Sequence, residues 1–190
     1  MKKAICVFLF IGVMFSLLSF TGYAENKKKE EKASLNVKAK AAVLMDASTG
    51  KILWEKNEHE SLYPASVTKI MPLLLFMEAL DSGKIKESDK VVCSPEAAAK
   101  GGSQIWLKDG EAMTVEELLK AVAIASANDA CCALGEYIAG SEEAFVDMMN
   151  ERAKELKMKD TNFDNCSGLD DDTDTHKSSA YDIAVMAREL

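Results

Sequence analysis

The spacing of hydrophobic and polar residues after position 40 predicts a β-hairpin followed by a helix. Two strand-like apolar runs, 41–46 and 52–55, flank a turn-rich segment, 47–51, in which the glycine comes late. Two short apolar runs around such a turn are typical of a hairpin. Between residues 66 and 80 the apolar side chains recur at the spacing of one helix face, and 81–83 reads as a stop signal. We therefore expect the first helix to begin at or beside Ser66.

The second half of the chain is predicted to be helical. Thr114-Val115-Glu116-Glu117 has the form of a capping box, in which a threonine and a glutamate satisfy each other's backbone N–H groups at a helix start. Apolar periodicity and capping residues together predict helices over 114–125, 129–138, 142–156 and 179–190. A polar loop, 161–177, precedes the last of them. The chain is thus expected to be α+β, with its strands near the beginning.

The first 40 residues do not fit this globular pattern. Two lysines precede an uncharged apolar run, 4–20, which ends at a small-x-small sequence, 22–24. This order is typical of a secretory signal peptide, so residues 1–24 are predicted to be one; a retained membrane anchor is the alternative reading of the same run. The lysine- and glutamate-rich segment 25–40 is predicted to be a solvated tether. We expect an exported protein that works at the extracytoplasmic face of the membrane or in the cell wall.

Composition and charge restrict the partners. Of 190 residues, 48% are apolar and 28% are charged, which is a globular composition. A net charge of -8 argues against nucleic acid as a partner. The cysteines at 93, 131, 132 and 166 lack the C-x-x-C and histidine spacing of a zinc site. Cys131 and Cys132 are expected to be small core residues, and a Cys93–Cys166 pairing stays open.

Ser66 and Lys69 are candidate catalytic residues. A serine and a lysine three residues apart on a helix share a face, with Cβ atoms about 5–6 Å apart, so the amine can take the hydroxyl proton. Burial would lower the lysine pKa from its reference value near 10.4. The alternative is a serine N-cap beside a solvated lysine. Ser48 and Lys51 have the same spacing, but they lie in the predicted hairpin turn, where the two side chains need not face one way.

Ser126-Ala127-Asn128 supplies a second set of candidate polar groups. The triplet falls between two predicted helices, where a turn can direct a hydroxyl and an amide into a cleft. The alternative is an ordinary helix break in which Asn128 or Asp129 caps the next helix.

Taken together, several motifs resemble one enzyme family. They are the segments 64–71, 101–103, 126–130, 165–170 and 187–190, which read PASVTKIM, GGS, SANDA, NCSGLD and AREL. In this order they resemble the D-alanyl-D-alanine carboxypeptidases, the low-molecular-weight penicillin-binding proteins. The order is also similar to that of the β-lactamases that share the penicillin-recognising fold.

The resemblance implies a β-lactamase/transpeptidase-like fold, an antiparallel sheet flanked by helices, and a set of roles. Ser66 would be the acylated nucleophile, with its backbone N–H as half of an oxyanion hole, and Lys69 would be the general base. Ser126 would relay protons and Asn128 would bind the substrate amide. The implied substrate is a peptidoglycan stem peptide ending in D-Ala-D-Ala, β-lactam antibiotics would acylate the same serine, and no cofactor or metal is required.

Some positions depart from the family pattern. The Lys-[Ser/Thr]-Gly motif does not occur in these 190 residues, so we expect it, the C-terminal strands and any membrane-attaching part beyond Leu190. On that expectation the chain alone would be catalytically silent and poorly stable. Cys166 stands where the family usually has proline, and Lys157 where glycine is common. Pro72 is expected to bend the helix that carries Ser66 and to leave the Thr68 carbonyl free.

Three other functions compete with this reading. A related β-lactamase would need a glutamate base downstream of the triplet, but none lies between Glu155 and Glu189. A Ser-His-Asp hydrolase would have to use His59 or His176, and neither lies near a nucleophile-elbow sequence. A non-catalytic wall-binding module could use a calcium loop, for which the candidates are Asp170, Asp172 and Asp174; Thr175 and Tyr181 replace the glycine and glutamate of an EF-hand. An inactive relative of the carboxypeptidases is the remaining alternative.

Overall fold

The structure, a computed structural model, describes residues 35–169 and 174–190. The predicted signal peptide, the first ten residues of the predicted tether, and Asp170 and Asp172 lie outside the described residues. Among the helices of the described ranges, none combines the length and the apolar character needed to cross a bilayer.

Strands β1 (Ala42–Met45) and β2 (Ile52–Lys56) form the predicted antiparallel hairpin. Asp46 fastens the turn, since its carboxylate accepts hydrogen bonds from the Thr49 N–H at 2.8 Å and from the hydroxyls of Ser48 and Thr49 at 2.8 and 2.6 Å. The hydrogen bonds from Thr49 and then Ser48 lower the pKa of Asp46 to about 2. The hairpin prediction is confirmed, and Ser48 is bound within the turn.

The segment predicted as one helix from Ser66 consists of two parts. Residues Ala65–Lys69 form a 3-10 helix, and α1 (Ile70–Asp81) follows directly. Pro72 is the third residue of α1, in the first turn of an α-helix, where proline is tolerated. The chain changes from 3-10 to α geometry before the proline, and the bend expected at Pro72 stays a prediction.

A second two-stranded sheet was not predicted. Strand β3 (Lys90–Val92) pairs antiparallel with β4 (Ala112–Thr114), and the short helix α2 (Pro95–Ala98) lies between them in sequence. Three-residue strands are too short to show an apolar alternation, so the sequence pattern could not reveal them.

The four later helices are confirmed. They are α3 (Val115–Ala125), α4 (Asn128–Ala139), α5 (Glu142–Glu155) and α6 (Ala180–Glu189). The predicted capping box opens α3, because the Thr114 hydroxyl accepts from the Glu117 N–H and the Glu117 carboxylate accepts from the Thr114 N–H. Helix α6 packs against α1 and β1, where Arg188 Nε donates to the Ala47 carbonyl at 2.7 Å. The expected α+β class, with antiparallel strands and helices, is confirmed.

Helix α4 is the centre of the hydrophobic core. Nine of its twelve residues are buried, and it packs against α1, α2, α3 and α5. Gly135 lets α5 approach closely, since a Cβ at this position would lie 2.6 Å from the Phe145 ring. That ring stacks on Phe76 with centroids 5.3 Å apart. The core therefore holds the first residue of α4, Asn128, in a fixed position.

Candidate active site

Ser66 and Lys69 are brought together by the 3-10 helix. This helix has about three residues per turn, so side chains at i and i+3 lie directly above one another. Lys69 Nζ lies 3.2 Å from Ser66 Oγ. The amine also donates to the Ser167 carbonyl at 2.8 Å. The structure thus places the predicted nucleophile and the predicted base within hydrogen-bonding distance.

The environment of Lys69 favours its neutral form. The residue is 4% exposed, and burial is the main cause that lowers the pKa of Lys69. Its two hydrogen-bond partners, a hydroxyl and a carbonyl, carry no net charge that would offset the cost of burying an ammonium group. A buried lysine with a lowered pKa beside a serine hydroxyl is a suitable general base.

The loop 165–169 supports the turn that carries Ser66. Gly168 lies so close to it that a Cβ would fall 1.9 Å from the Ala65 carbonyl oxygen, and its φ of +75° is in the left-handed region. Ala65 itself has a φ of +47°. Asn165 Oδ1 accepts from the N–H groups of Ser167 and Gly168 at 3.1 and 2.7 Å, which closes the loop. Contact with this loop therefore fixes the backbone just before the nucleophile.

Ser126 and Asn128 lie at the junction of α3 and α4. Ser126 ends α3 in the left-handed region, with φ 54° and ψ 35°, and it is half-buried. The N-cap of α4 is Ala127, which provides no side-chain cap, so the alternative in which Asn128 caps the helix was wrong. The Asp129 carboxylate accepts hydrogen bonds from the N–H groups of Ile105 and Leu107 in the preceding loop and from the Ala130 N–H in the first turn of α4.

Asn128 holds the loop 101–103 and keeps one acceptor without a partner. Its N–H donates to the Ser103 carbonyl and its Nδ2 to the Gly101 carbonyl, both at 2.7 Å. Gly102 makes this approach feasible, because a Cβ there would lie 2.7 Å from Nδ2. Within residues 35–169 and 174–190, Asn128 Oδ1 is a buried oxygen with no hydrogen-bond partner. Since the hydrogen bond to Gly101 fixes which end of the amide is nitrogen, the atom left without a partner is an acceptor.

The two histidines have structural partners. His176 is buried; its Nδ1 accepts from the Asp164 N–H at 3.1 Å, so Nε2 carries the proton and donates to Thr68 Oγ1 at 2.8 Å. His59 Nδ1 pairs with Asp160 at 2.7 Å on the surface, and its hydrogen bond to the Asp160 carboxylate raises the pKa of His59. Both ring nitrogens of His176 are engaged away from Ser66 Oγ, which argues against a Ser-His-Asp triad.

The remaining sequence candidates have mixed outcomes. Asp174 accepts a hydrogen bond from the Tyr63 hydroxyl at 2.8 Å, whereas its two predicted calcium-binding neighbours lie outside the described residues, so the calcium loop stays a prediction. The four cysteines at 93, 131, 132 and 166 are buried and unpaired. Cys132, Glu142 and Cys166 nevertheless bring three metal-binding atoms within 4.8 Å of one another, a group that sequence spacing did not indicate.

Ser167 and Gly168 are site residues whose roles the sequence analysis missed. Ser167 lies 98 residues from Lys69, so the sequence does not reveal their contact. The signal available was a glycine inside a polar, acidic loop.

Comparison with known proteins agrees with the motifs. The family model described as D-alanyl-D-alanine carboxypeptidase matches residues 26–190. The chain is 54% identical to D-alanyl-D-alanine carboxypeptidase DacF of Bacillus subtilis over 191 residues, covering 100% of this chain and 48% of that protein. It is 43% identical to DacD of Escherichia coli, covering 78% of this chain and 39% of that protein. The chain thus spans about half the length, or less, of these relatives.

Solved structures of similar fold come from the same family of proteins. The D-alanyl-D-alanine carboxypeptidase DacD of Francisella tularensis superposes with a TM-score of 0.79 at 35% identity, covering 89% of this chain and 41% of that one. Penicillin-binding protein D2 of Listeria monocytogenes, solved in its ampicillin-bound form, superposes with a TM-score of 0.72 at 28% identity, covering 82% and 62% of the two chains.

Proposed function

Because the chain belongs to the D-alanyl-D-alanine carboxypeptidases, the low-molecular-weight penicillin-binding proteins, we propose that the protein removes the terminal D-alanine from peptidoglycan stem peptides. The reaction passes through an acyl-enzyme on Ser66, and β-lactam antibiotics acylate the same hydroxyl. The observation that carries this proposal is the 3.2 Å contact between Ser66 Oγ and the buried amine of Lys69.

Acylation begins with a proton transfer within this pair. The neutral Lys69 amine takes the proton of Ser66 Oγ, and the oxygen attacks the carbonyl carbon of the penultimate D-alanine. The Ser66 N–H, at the start of the 3-10 helix, is one donor for the negative oxygen of the tetrahedral intermediate. The C–N bond then breaks and the terminal D-alanine leaves with a proton, for which Lys69 is the source and Ser126 the relay. Water attacks the ester in the second half of the reaction and regenerates the Ser66 hydroxyl.

Asn128 positions the substrate in this proposal. Its Oδ1 has no partner among the described residues, and a buried acceptor without a partner is unfavourable until a donor reaches it. A backbone N–H of the stem peptide supplies such a donor. Because Asn128 Nδ2 holds the Gly101 carbonyl, the same side chain also sets the position of the loop 101–103.

The substrate determines where the protein works. We infer that it is exported and acts at the extracytoplasmic face of the cell membrane or in the cell wall. Support comes from the sequence of residues 1–24, which has the order of a signal peptide, and from a substrate that belongs to the cell wall. Membrane association is part of this proposal, with the means of attachment outside the described residues.

Labelling with a fluorescent penicillin tests the proposed nucleophile. Protein expressed from its complete coding sequence is expected to carry a covalent label that survives denaturing electrophoresis, and Ser66→Ala is expected to remove it. Ser48→Ala is the matched control, because Ser48 belongs to the other serine–lysine pair of the same spacing but donates to Asp46 in the hairpin turn. Undiminished labelling of Ser66→Ala, or loss of label in Ser48→Ala alone, would contradict the assignment.

A further inference from the structure

Three side chains with metal-binding atoms come together where α4, α5 and the loop 165–169 meet. Sγ of Cys132, Sγ of Cys166 and a carboxylate oxygen of Glu142 all lie within 4.8 Å of one another. They come from three separate parts of the chain, namely the middle of α4, the start of α5 and the loop. Both thiols are fully buried, so these sulfur atoms face each other and the carboxylate inside the protein.

The distances are close to those of a metal site. Zinc bonds of about 2.3 Å to sulfur and about 2.1 Å to oxygen place tetrahedral ligand atoms roughly 3.6–3.8 Å apart. Cys166 Sγ and Glu142 Oε1 are already 3.3 Å apart, joined by a thiol hydrogen bond. The three atoms would need to close by about an ångström or less around one ion.

The surroundings orient the carboxylate and add a nearby donor. Lys100 Nζ donates to Glu142 Oε2, which leaves Oε1 directed toward Cys166. A ligating carboxylate that is held by a further hydrogen bond is typical of protein metal sites. Glu136, one helical turn after Cys132, accepts from the thiol of that cysteine at 3.5 Å.

An acidic cavity reaches one member of this group, Glu142, from solvent. It has a volume of about 500 Å³, and Glu96, Glu136, Glu142 and Glu143 line it together with Lys100. The excess of carboxylates attracts cations. The cavity therefore gives cations access to the Glu142 carboxylate, whereas the two buried thiols are not among the residues that line it. It is an observation independent of the sulfur distances.

We propose that Cys132, Cys166 and Glu142 form a binding site for a soft divalent cation of the zinc type. Two thiolates and one carboxylate bind the ion, and Glu136 or water takes the fourth position. Binding releases the two thiol protons to solvent, while Lys100 keeps its hydrogen bond to Glu142.

Such a site would connect the metal to the geometry of Ser66. Residue 167, which follows Cys166, offers the carbonyl that holds Lys69 Nζ. The Cys131 thiol also donates to the Cys166 carbonyl at 3.3 Å, so α4 and the loop are already joined here. An ion bound to Cys132 and Cys166 would hold the loop against α4 and stabilise it.

Cobalt(II) titration of the metal-free protein tests the site. The protein is expressed without a polyhistidine tag and is kept reduced by a phosphine under argon. Cobalt binding is followed by the near-ultraviolet thiolate-to-cobalt absorption. The wild-type protein is expected to show this absorption at one equivalent, and zinc is expected to abolish it by displacing cobalt. Cys132→Ser, Cys166→Ser and Glu142→Gln are each expected to weaken binding by about tenfold or more.

Matched controls separate the ligands from their neighbours. Glu143→Gln changes an adjacent cavity glutamate outside the group, and Cys93→Ser changes another buried thiol; both are expected to bind cobalt as the wild type does. Thermal unfolding gives a second readout, because zinc should raise the midpoint of the wild type and of both controls but not that of Cys166→Ser. Absence of the thiolate absorption in the wild type, or its persistence at full strength in Cys166→Ser, would overturn the proposal.

Discussion

Lys69 and Ser167 are joined by a hydrogen bond of 2.8 Å between residues 98 positions apart. The amine of Lys69 also contacts Ser66 Oγ, so the loop that carries Ser167 determines where the base of the pair is held. The geometry at the candidate nucleophile thus depends on a distant segment as much as on the 3-10 helix. Substitutions at four positions in and around the candidate site test its geometry by their effects on acylation and on stability.

Gly168→Ala is expected to damage both stability and acylation. A Cβ at this position would lie 1.9 Å from the Ala65 carbonyl oxygen, and the φ of +75° is strained for alanine. The loop or the turn of Ser66 must therefore move. We expect a loss of unfolding free energy well above the roughly 1–2 kcal/mol that a left-handed alanine costs by itself, together with slower acylation by penicillin.

Gly110→Ala is the control for that experiment. Gly110 has nearly the same φ, +76°, but no atom lies within 4 Å of its added Cβ. Urea unfolding of Gly110→Ala therefore measures the cost of a left-handed alanine alone, without a steric clash. Equal losses in the two variants would show that the contact between Gly168 and Ala65 is unimportant.

The acylation rate is expected to rise with pH. Only neutral Lys69 can accept the Ser66 proton, and burial lowers the pKa of Lys69 from the ordinary value of 10.5. The rising limb of the rate of penicillin acylation should therefore have its midpoint below pH 10.5. Lys69→Arg, which stays protonated, should lose the limb and nearly all activity, whereas Lys51→Arg in the other serine–lysine pair should change neither.

The same pKa shift has a consequence for stability. Because burial lowers the pKa of Lys69 in the folded protein, the unfolded chain binds more protons between the folded and unfolded pKa values. This residue's contribution to the unfolding free energy should therefore become more favourable as pH rises through that interval. Comparison of wild type with Lys69→Met by urea unfolding at several pH values measures it; an opposite slope in the difference would contradict a lowered pKa for Lys69.

Asn128→Asp is expected to impair acylation strongly. Aspartate cannot donate to the Gly101 carbonyl, and it would place a carboxylate at a position that is 3% exposed. We expect a decrease in the second-order acylation rate of about a hundredfold, equivalent to about 3 kcal/mol. Asn57→Asp is the control, because the Asn57 amide also donates to a backbone carbonyl, at 2.9 Å, but on the surface; a similar decrease there would remove the special role of Asn128.

Thr68→Val is expected to destabilise the protein through His176. The Thr68 hydroxyl accepts the Nε2 proton of that buried ring at 2.8 Å, and valine would leave the donor without this acceptor at a cost of about 1–3 kcal/mol. Urea unfolding measures the loss. Thr49→Val removes an exposed hydrogen bond to Asp46 and should cost less; the reverse order would contradict the structural role of His176.

The elements that sequence reasoning predicted correctly are those specified locally. The capping box at Thr114 and the turn at Asp46 each involve residues within three positions of one another, so their sequences are sufficient. The resemblance to the family implied roles for Ser66, Lys69, Ser126 and Asn128, and these roles stay predictions.

What could not be predicted depends on tertiary packing. The φ of +47° at Ala65 and the 3-10 geometry of Ser66 go together with the close approach of Gly168, which lies about a hundred residues later. The group of Cys132, Cys166 and Glu142 has no regular spacing in the sequence, because α4, α5 and the loop converge only in the fold.

Peptide mass spectrometry after reaction with penicillin tests the central claim most directly. Protein expressed from its complete coding sequence is treated with benzylpenicillin, digested and analysed for the acyl adduct. The expected result is one adduct on Ser66, whose hydroxyl contacts the buried Lys69 amine at 3.2 Å, and none on Ser48. An adduct on any other residue would contradict the assignment of Ser66 as the nucleophile.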